Sequence, residues 1–163
     1  MKILLVDDHA IVRAGLRQLL SLGTPVTVAE AASGREALAT VARERPDVLV
    51  LDLNLPDVGG VELIRRLLLQ DASLRILVLS MHAEPLYASR ALQAGARGYI
   101  SKSAEPQELL SALRRVAEGG RYIEAEIAQA LALQNTTSED PLQGLSERNL
   151  EILRLLAGGR SLA

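Results

Sequence analysis

Asp47-Val48-Leu49-Val50-Leu51-Asp52-Leu53-Asn54-Leu55-Pro56 decides the fold of this 163-residue chain. Val48 to Leu51 is an unbroken apolar run with two β-branched members, which suits a strand covered on both faces in a parallel sheet. Asp52 stands where that strand runs out into loop. In open α/β sheets the carboxyl ends of the strands are where ligands and chemistry gather, so Asp52 is the first candidate for a reactive group.

The same alternation of strand and helix extends both ways from this stretch. Ile3 to Val6 is a short apolar run, and His9 to Leu22 carries Ile11, Val12, Leu16, Leu19 and Leu20 at helical spacing. Val26 to Ala31 predicts a second strand. Ser33 and Glu36 have capping-box spacing, so a helix should begin there and end by Pro46. Beyond the central strand, residues 56–60 form a turn cluster and Val61 to Leu69 a third helix. Leu74 to Leu79 predicts a fourth strand ending in Ser80. A fourth helix, rich in Ala and poor in large apolar residues, runs from Pro85 to Gly95, and its weak packing marks it as the helix expected to move. Gly98-Tyr99-Ile100 predicts a fifth strand, and Pro106, at a plausible first helical position, opens a fifth helix.

Five strands alternating with five helices over residues 1–120 ask for a parallel, doubly wound α/β sheet. Residues 121–134 are expected to form a further helix. The polar run 135–141, closed by Pro141, reads as linker. Ser146 then caps a last helix over 147–157.

Composition narrows the function. Hydrophobic residues make up 48% of the chain, with no Phe or Trp and three Tyr, so the core is aliphatic and base stacking on aromatics is disfavoured. The net charge of −2 offers no general attraction to nucleic acid or anionic membrane. Cysteine is absent, which rules out disulfides and thiolate metal sites. No signal peptide or membrane-spanning run is evident, so a cytoplasmic protein with no membrane partner is expected.

Asp7-Asp8, Asp52, Ser80 and Lys102 follow the first, third, fourth and fifth strands. A parallel sheet places all these ends along one edge. Three carboxylates beside a lysine and a hydroxyl call for a further cation, and oxygen ligands without Cys or His favour Mg²⁺. Carboxylate nucleophile, metal, Lys and Ser together form the parts list for phosphoryl transfer, with an aspartyl phosphate as product. Singly, each has a plainer reading: a solvated turn, a surface charge, a loop hydroxyl. Their fall at four of the five strand ends favours the joint one. His82 lies two residues after Ser80 but no Gly-x-Ser-x-Gly elbow surrounds that serine, and neither His9 nor His82 has zinc-motif spacing. Both histidines are read as loop residues.

Residues 1–120 closely resemble the receiver domain of two-component response regulators. The resemblance is carried by Leu5-Val6-Asp7-Asp8-His9, Leu51-Asp52-Leu53-Asn54-Leu55-Pro56, Leu79-Ser80 and Gly95-Ala96-Arg97-Gly98-Tyr99-Ile100-Ser101-Lys102. It implies a flavodoxin-like fold in which a histidine kinase phosphorylates Asp52. It further implies Mg²⁺ held by Asp7, Asp8, Asp52 and the backbone carbonyl of Asn54, with Ser80 and Lys102 on the phosphoryl group and Tyr99 as a switch aromatic that turns inward when Ser80 moves. Ser103 follows Lys102 where many receivers have proline, so the usual cis peptide is in question. Gly59-Gly60 replaces the common acidic residue before glycine, at some cost to the cap of the third helix.

Residues 144–159 resemble the opening of a LuxR-type helix-turn-helix domain, which with the receiver indicates the NarL/FixJ class. Asn149 stands where a capping Glu is usual. The expected organisation is a receiver over 1–120, a helical linker over 121–143 and, over 144–163, the truncated start of the DNA-binding domain, without the recognition helix that reads bases. Leu150, Leu153, Leu156 and Ala157 form an apolar stripe that should dock on its own receiver or on a second chain, or else stay disordered. The implied function is a phosphorylation-controlled switch and not a turnover enzyme, forming a phosphorylation-promoted homodimer and acting on DNA in the intact parent. Candidate dimer faces are the first and fifth helices, or the fourth helix with the fifth strand. Two alternatives are a Mg²⁺-dependent phosphatase with an aspartyl nucleophile, opposed by Asn54 where a general-acid Asp would stand, and a receiver that dimerises without phosphorylation.

Overall fold

A computed structural model describes residues 1–23, 25–81 and 85–137. The start of the LuxR-type segment, its apolar stripe and His82 lie outside the described residues. Strand β1 (Lys2–Val6) leads to helix α1 (Ala10–Leu20), β2 (Thr27–Ala31) to α2 (Gly34–Glu44), and β3 (Val48–Asp52) to α3 (Gly60–Gln70). The second half continues with β4 (Arg75–Ser80), α4 (Pro85–Ala94), β5 (Gly98–Ser101), α5 (Pro106–Ala117), β6 (Tyr122–Ile123) and α6 (Ala125–Thr137). The strands form one parallel sheet in the order β2-β1-β3-β4-β5-β6.

The apolar run at β3 is covered on both sides, as its composition requires. Alternate residues of each strand sort into two clusters. Leu4, Val6, Leu49, Leu51, Ile76, Val78 and Tyr99 meet Ala37, Val41, Leu63, Ile64, Leu67, Ala88, Ala91 and Ile127, from α2, α3, α4 and α6. Ile3, Leu5, Val48, Val50, Leu77, Leu79 and Ile100 meet Leu20, Leu109, Leu113 and Val116, from α1 and α5. This is the period-2 rule acting through a doubly covered sheet. Cutting any one of these leucines to alanine would cost about 2–5 kcal/mol.

The sheet has six strands, not five. The segment expected to be helical from residue 121 first adds Tyr122 and Ile123 beside Gly98 and Tyr99, and becomes helix only at Ala125. Gly119, at φ 91° after α5, lets the chain turn back toward the sheet edge. There the Tyr122 amide donates to the Arg97 carbonyl at 3.0 Å. Two residues are too few for an alternation to show in sequence.

Helix α4 packs through its small side chains: Ala88 and Ala91 are fully buried, and the helix lies between α3 and α6. At α2 the Glu36 amide donates to Ser33 Oγ (3.2 Å), while the Glu36 carboxylate accepts from the Ala32 amide, one residue before the cap (2.9 Å). Pro106 occupies the first turn of α5 behind Glu105, as its spacing predicts.

Candidate functional site

Strand order reverses between β1, which continues outward to β2, and β3, which continues to β4 and β5. Ligands in open α/β sheets bind at that switch point, beyond the carboxyl ends of the strands. Val6 pairs with Leu51, so Asp7 and Asp52 emerge side by side. Across β3, Asp52 pairs with Leu79, and Ser80 pairs with Ser101. The Lys102 amide then donates to the Ser80 carbonyl at 2.7 Å, which holds the chain in register for one residue past the strand.

Side chains follow from that register. Lys102 Nζ lies 3.0 Å from Asp7 Oδ2 and 3.3 Å from Asp52 Oδ2. Asp7 and Asp52 are buried, with side chains 3% and 2% exposed, while Asp8 opens to solvent. Burial drives the Asp7 carboxyl upward, but the His9 amide (2.8 Å from Oδ1) and the Lys102 ammonium outweigh it, so its pKa falls below the usual carboxylate range. Burial likewise works against the Lys102 charge, and the Asp7 and Asp52 carboxylates reverse it, leaving the ammonium more basic than usual. The Asn54 amide donates to Asp52 Oδ1 at 3.1 Å, which orients the carboxylate.

Asp7, Asp8, His9 and Asp52 each offer one donor atom, all within 4.8 Å of one another. Carboxylate oxygens in that grouping suit a hard divalent cation such as Mg²⁺. His9 is the member of this group that the sequence reads only as a loop residue, and a loop residue it is. It precedes α1 with an extended backbone (φ −97°, ψ 110°), and its Nδ1 reaches Asp7 Oδ1 at 3.0 Å and Asp8 Oδ1 at 3.1 Å. Nothing in the residue spacing reports that ring direction.

Two further anchors lie around the site. Glu30 on β2 accepts from Arg13 Nε at 2.8 Å and Arg17 Nε at 2.7 Å, and the Arg13 guanidinium also donates to the Asp7 carbonyl, tying α1 to the loop that carries Asp7. Those guanidiniums hold the Glu30 carboxyl below its usual pKa. Asp57, within the predicted turn cluster, reaches across to the start of α2 and accepts from the Gly34 amide (2.9 Å) and the Arg35 amide (3.0 Å). These helix N-terminal donors lower its pKa. The loop after Asp52 is thereby pinned to a second helix.

Gly59 caps α3 without a side-chain bond, as its lack of a side chain implies, and Gly60 serves a different need. A Cβ at Gly60 would stand 2.7 Å from Leu53 Cα and 2.8 Å from the Leu53 carbonyl oxygen, so only glycine lets α3 start this close to the Asp52 loop. Ser80 is buried at the end of β4. It also borders a groove of about 760 Å³ shared with Leu53, Asn54, Tyr87 and Arg90. Tyr99 is fully buried against the α4 and α6 side of the core, already facing inward. Among the described residues no cis peptide occurs, so the bond after Lys102 is trans.

Among the described residues no helix is long and apolar enough to cross a membrane. The response regulator receiver domain family matches residues 3–114. The response regulator UvrY of Escherichia coli (strain K12) is 40% identical over 165 residues, covering 98% of this chain and 75% of UvrY. A crystal structure of a LuxR-family two-component response regulator from Aurantimonas sp. SI85-9A1 superposes with a TM-score of 0.79 at 40% identity, over 83% of this chain and 97% of that one. The RcsB response regulator of Salmonella typhimurium, in a structure described for its conformational dynamism in DNA interaction, gives 0.77 at 28% identity over 98% and 78% of the two chains. With the switch-point carboxylates, the half-buried lysine between them and these matches, the chain belongs to the two-component response regulators, in the NarL/FixJ class, and carries their receiver domain.

Proposed function

We propose that Asp52 is the phosphoacceptor of this receiver and that Lys102 and Ser80 contact the phosphoryl group once it is there. The observation that carries this is the placement of Lys102 Nζ within 3.3 Å of a carboxylate that is 2% exposed. Response regulators as a family signal by phosphorylation from histidine kinases. In this reading an Asp52 oxygen attacks the phosphorus of a kinase phosphohistidine. The new O–P bond forms as the P–N bond breaks, and the imidazole nitrogen leaves with the electron pair.

The chain's own groups prepare that step. The Asn54 amide fixes one Asp52 oxygen and leaves the other toward Lys102. The Lys102 ammonium would turn from the carboxylates to the incoming phosphoryl oxygens, and Ser80 at the rim of the groove would meet another. Asp7, Asp8, Asp52 and the Asn54 carbonyl would hold Mg²⁺, with His9 close enough to join or yield. The ion would supply positive charge to offset that of the carboxylates and of the transferring group.

Phosphorylation would then bias a conformational equilibrium toward a dimer-competent state. Helix α6 lies over α4, which favours α1 and α5 as the more open of the two candidate faces. Control of transcription is assigned to the regulator as a whole, with residues 144–163 as the start of its LuxR-type DNA-binding region. The aspartyl phosphatase alternative gains nothing from the site, where Asn54 meets Asp52 through its backbone amide and carries no acid in its side chain. Intact mass after incubation with acetyl phosphate tests the proposal. One phosphoryl adduct is expected, lost in Asp52→Asn and lost on chelation of Mg²⁺; an adduct that survives Asp52→Asn would overturn it.

A further inference from the structure

Strand β6 ends before its hydrogen bonds do. The Glu124 amide, one residue past the strand, still donates to the Tyr99 carbonyl at 3.2 Å. A parallel ladder would next give the Ser101 amide to the Glu124 carbonyl. That carbonyl instead accepts from Ala128 at 2.9 Å and starts helix α6. The Glu124 side chain supplies the missing acceptor, with Oε2 3.4 Å from the Ser101 amide. Both residues are buried, Glu124 at 9% and Ser101 at 7% exposure, so without this contact a buried N–H would lack its ladder partner.

The other end of the same short segment is the site. Lys102 follows Ser101 and reaches Asp7 and Asp52. Ser101 Oγ is engaged with Ser103, 2.7 Å from its hydroxyl and 3.1 Å from its amide. These two contacts tie Ser103, on the far side of Lys102, back to Ser101. Beyond Glu124, Ile127 and Leu131 of α6 pack in the same core cluster as Tyr99, Ala88 and Leu92. Burial and the neighbouring Glu108 and Glu126 carboxylates raise the Glu124 pKa, so charge alone does not favour a carboxylate at this position. Its hydrogen-bond geometry supplies the role.

We propose that Glu124 is a positioning residue that couples the Lys102 end of β5 to helix α6, through the Ser101 amide. This rests on the reading that Lys102 follows the phosphoryl state of Asp52. When Lys102 turns from Asp7 and Asp52 toward a phosphoryl group, Ser101 shifts with it and the first turn of α6 tightens or loosens through Glu124. The helix that leads on to residues 138–163 is thereby tied to the chemistry.

Hydrogen exchange on the full chain, without phosphorylation, tests the coupling directly. Lys102→Ala is expected to speed exchange of amides in residues 125–131 by several-fold beyond any general rise shared with α2 and α3. Glu124→Ala should speed exchange there and at residues 99–103 by about tenfold, the value of one net hydrogen bond. It should also abolish any further response of α6 to Lys102→Ala in the double variant. Glu124→Gln retains a carbonyl acceptor and should restore the response. Circular dichroism and the α2 and α3 amides report whether each variant is folded. If Lys102→Ala leaves α6 exchange unchanged, or if the double variant responds as the two single ones added together, the coupling is overturned. A failure of Asp52 to accept phosphate would show separately in the intact-mass experiment and leaves these outcomes readable.

Discussion

Replacing Lys102 by methionine removes the ammonium and keeps an unbranched side chain of similar length. In the structure that ammonium stands 3.0 Å and 3.3 Å from two carboxylates that are 3% and 2% exposed. Without it, Asp7 retains the His9 contacts and Asp52 the Asn54 amide, and two buried negative charges remain close together. Removing one partner of a buried ion pair costs about 3–5 kcal/mol. The lower end applies here, about 3 kcal/mol, because Asp8 opens the site to water and the burial penalty of Lys102 itself disappears with the charge. At about 3 °C per kcal/mol the melting temperature in chelator should fall by about 10 °C. Mg²⁺ at roughly 100 times its Kd stabilises a protein that binds it only when folded by about 2.7 kcal/mol. In Lys102→Met the gain should be larger, since the ion no longer competes with an ammonium. Thermal melts of both proteins by circular dichroism, with chelator and with Mg²⁺, give the four values needed. A variant that melts within about 2 °C of the parent in chelator would refute the reasoning. So would one whose Mg²⁺ gain is smaller than the parent's.

Gly60→Ala drives a Cβ into the Leu53 backbone, and urea unfolding should show a loss of about 2–3 kcal/mol together with weaker Mg²⁺ binding, because the Asp52 loop must shift. Unchanged stability would mean that α3 can slide away freely. Glu124 has its pKa raised in the folded state, so protonation favours folding and that contribution is present below the unfolded pKa and lost as pH rises through the folded one. Glu124→Gln should match the parent near about pH 4 and exceed it in denaturant midpoint near about pH 8. Asp57 has its pKa lowered, so its contribution is present above the unfolded value and lost as pH falls through the folded one. Asp57→Asn should therefore lower stability at neutral pH, with the gap closing in acid.

The central strands were legible because they are buried on both faces. Val48 to Leu51 is apolar without alternation, and only a sheet with helices on either side hides every one of those side chains. From that topology the meeting of Asp7, Asp52 and Lys102 follows by register. Strand β6 was not legible: Tyr122 and Ile123 take their pairing from the free edge of β5, not from their own pattern. Asp57 looked like one more turn residue, since its partners Gly34 and Arg35 lie 23 and 22 residues away. His9 reads only as a loop residue because a nitrogen donor fits no metal spacing in the sequence, and its place in the loop before α1 swings the ring over two carboxylates. Glu124 was hidden in a segment read as continuous helix. Its significance depends on a carbonyl that has already turned to Ala128. Short-range pattern gives the elements; these three anchors arise only where the elements meet.

The measurement that bears most directly on the central claim is chemical trapping of the acyl phosphate. The protein is incubated with acetyl phosphate and Mg²⁺, reduced with borohydride and digested, and the peptide spanning β3 is sequenced by mass spectrometry. An aspartyl phosphate at residue 52 is reduced to homoserine, so the account predicts homoserine in place of Asp52, with Asp7 and Asp8 unmodified. Homoserine at Asp7 or Asp8, or phosphate recovered on Ser80, would contradict it.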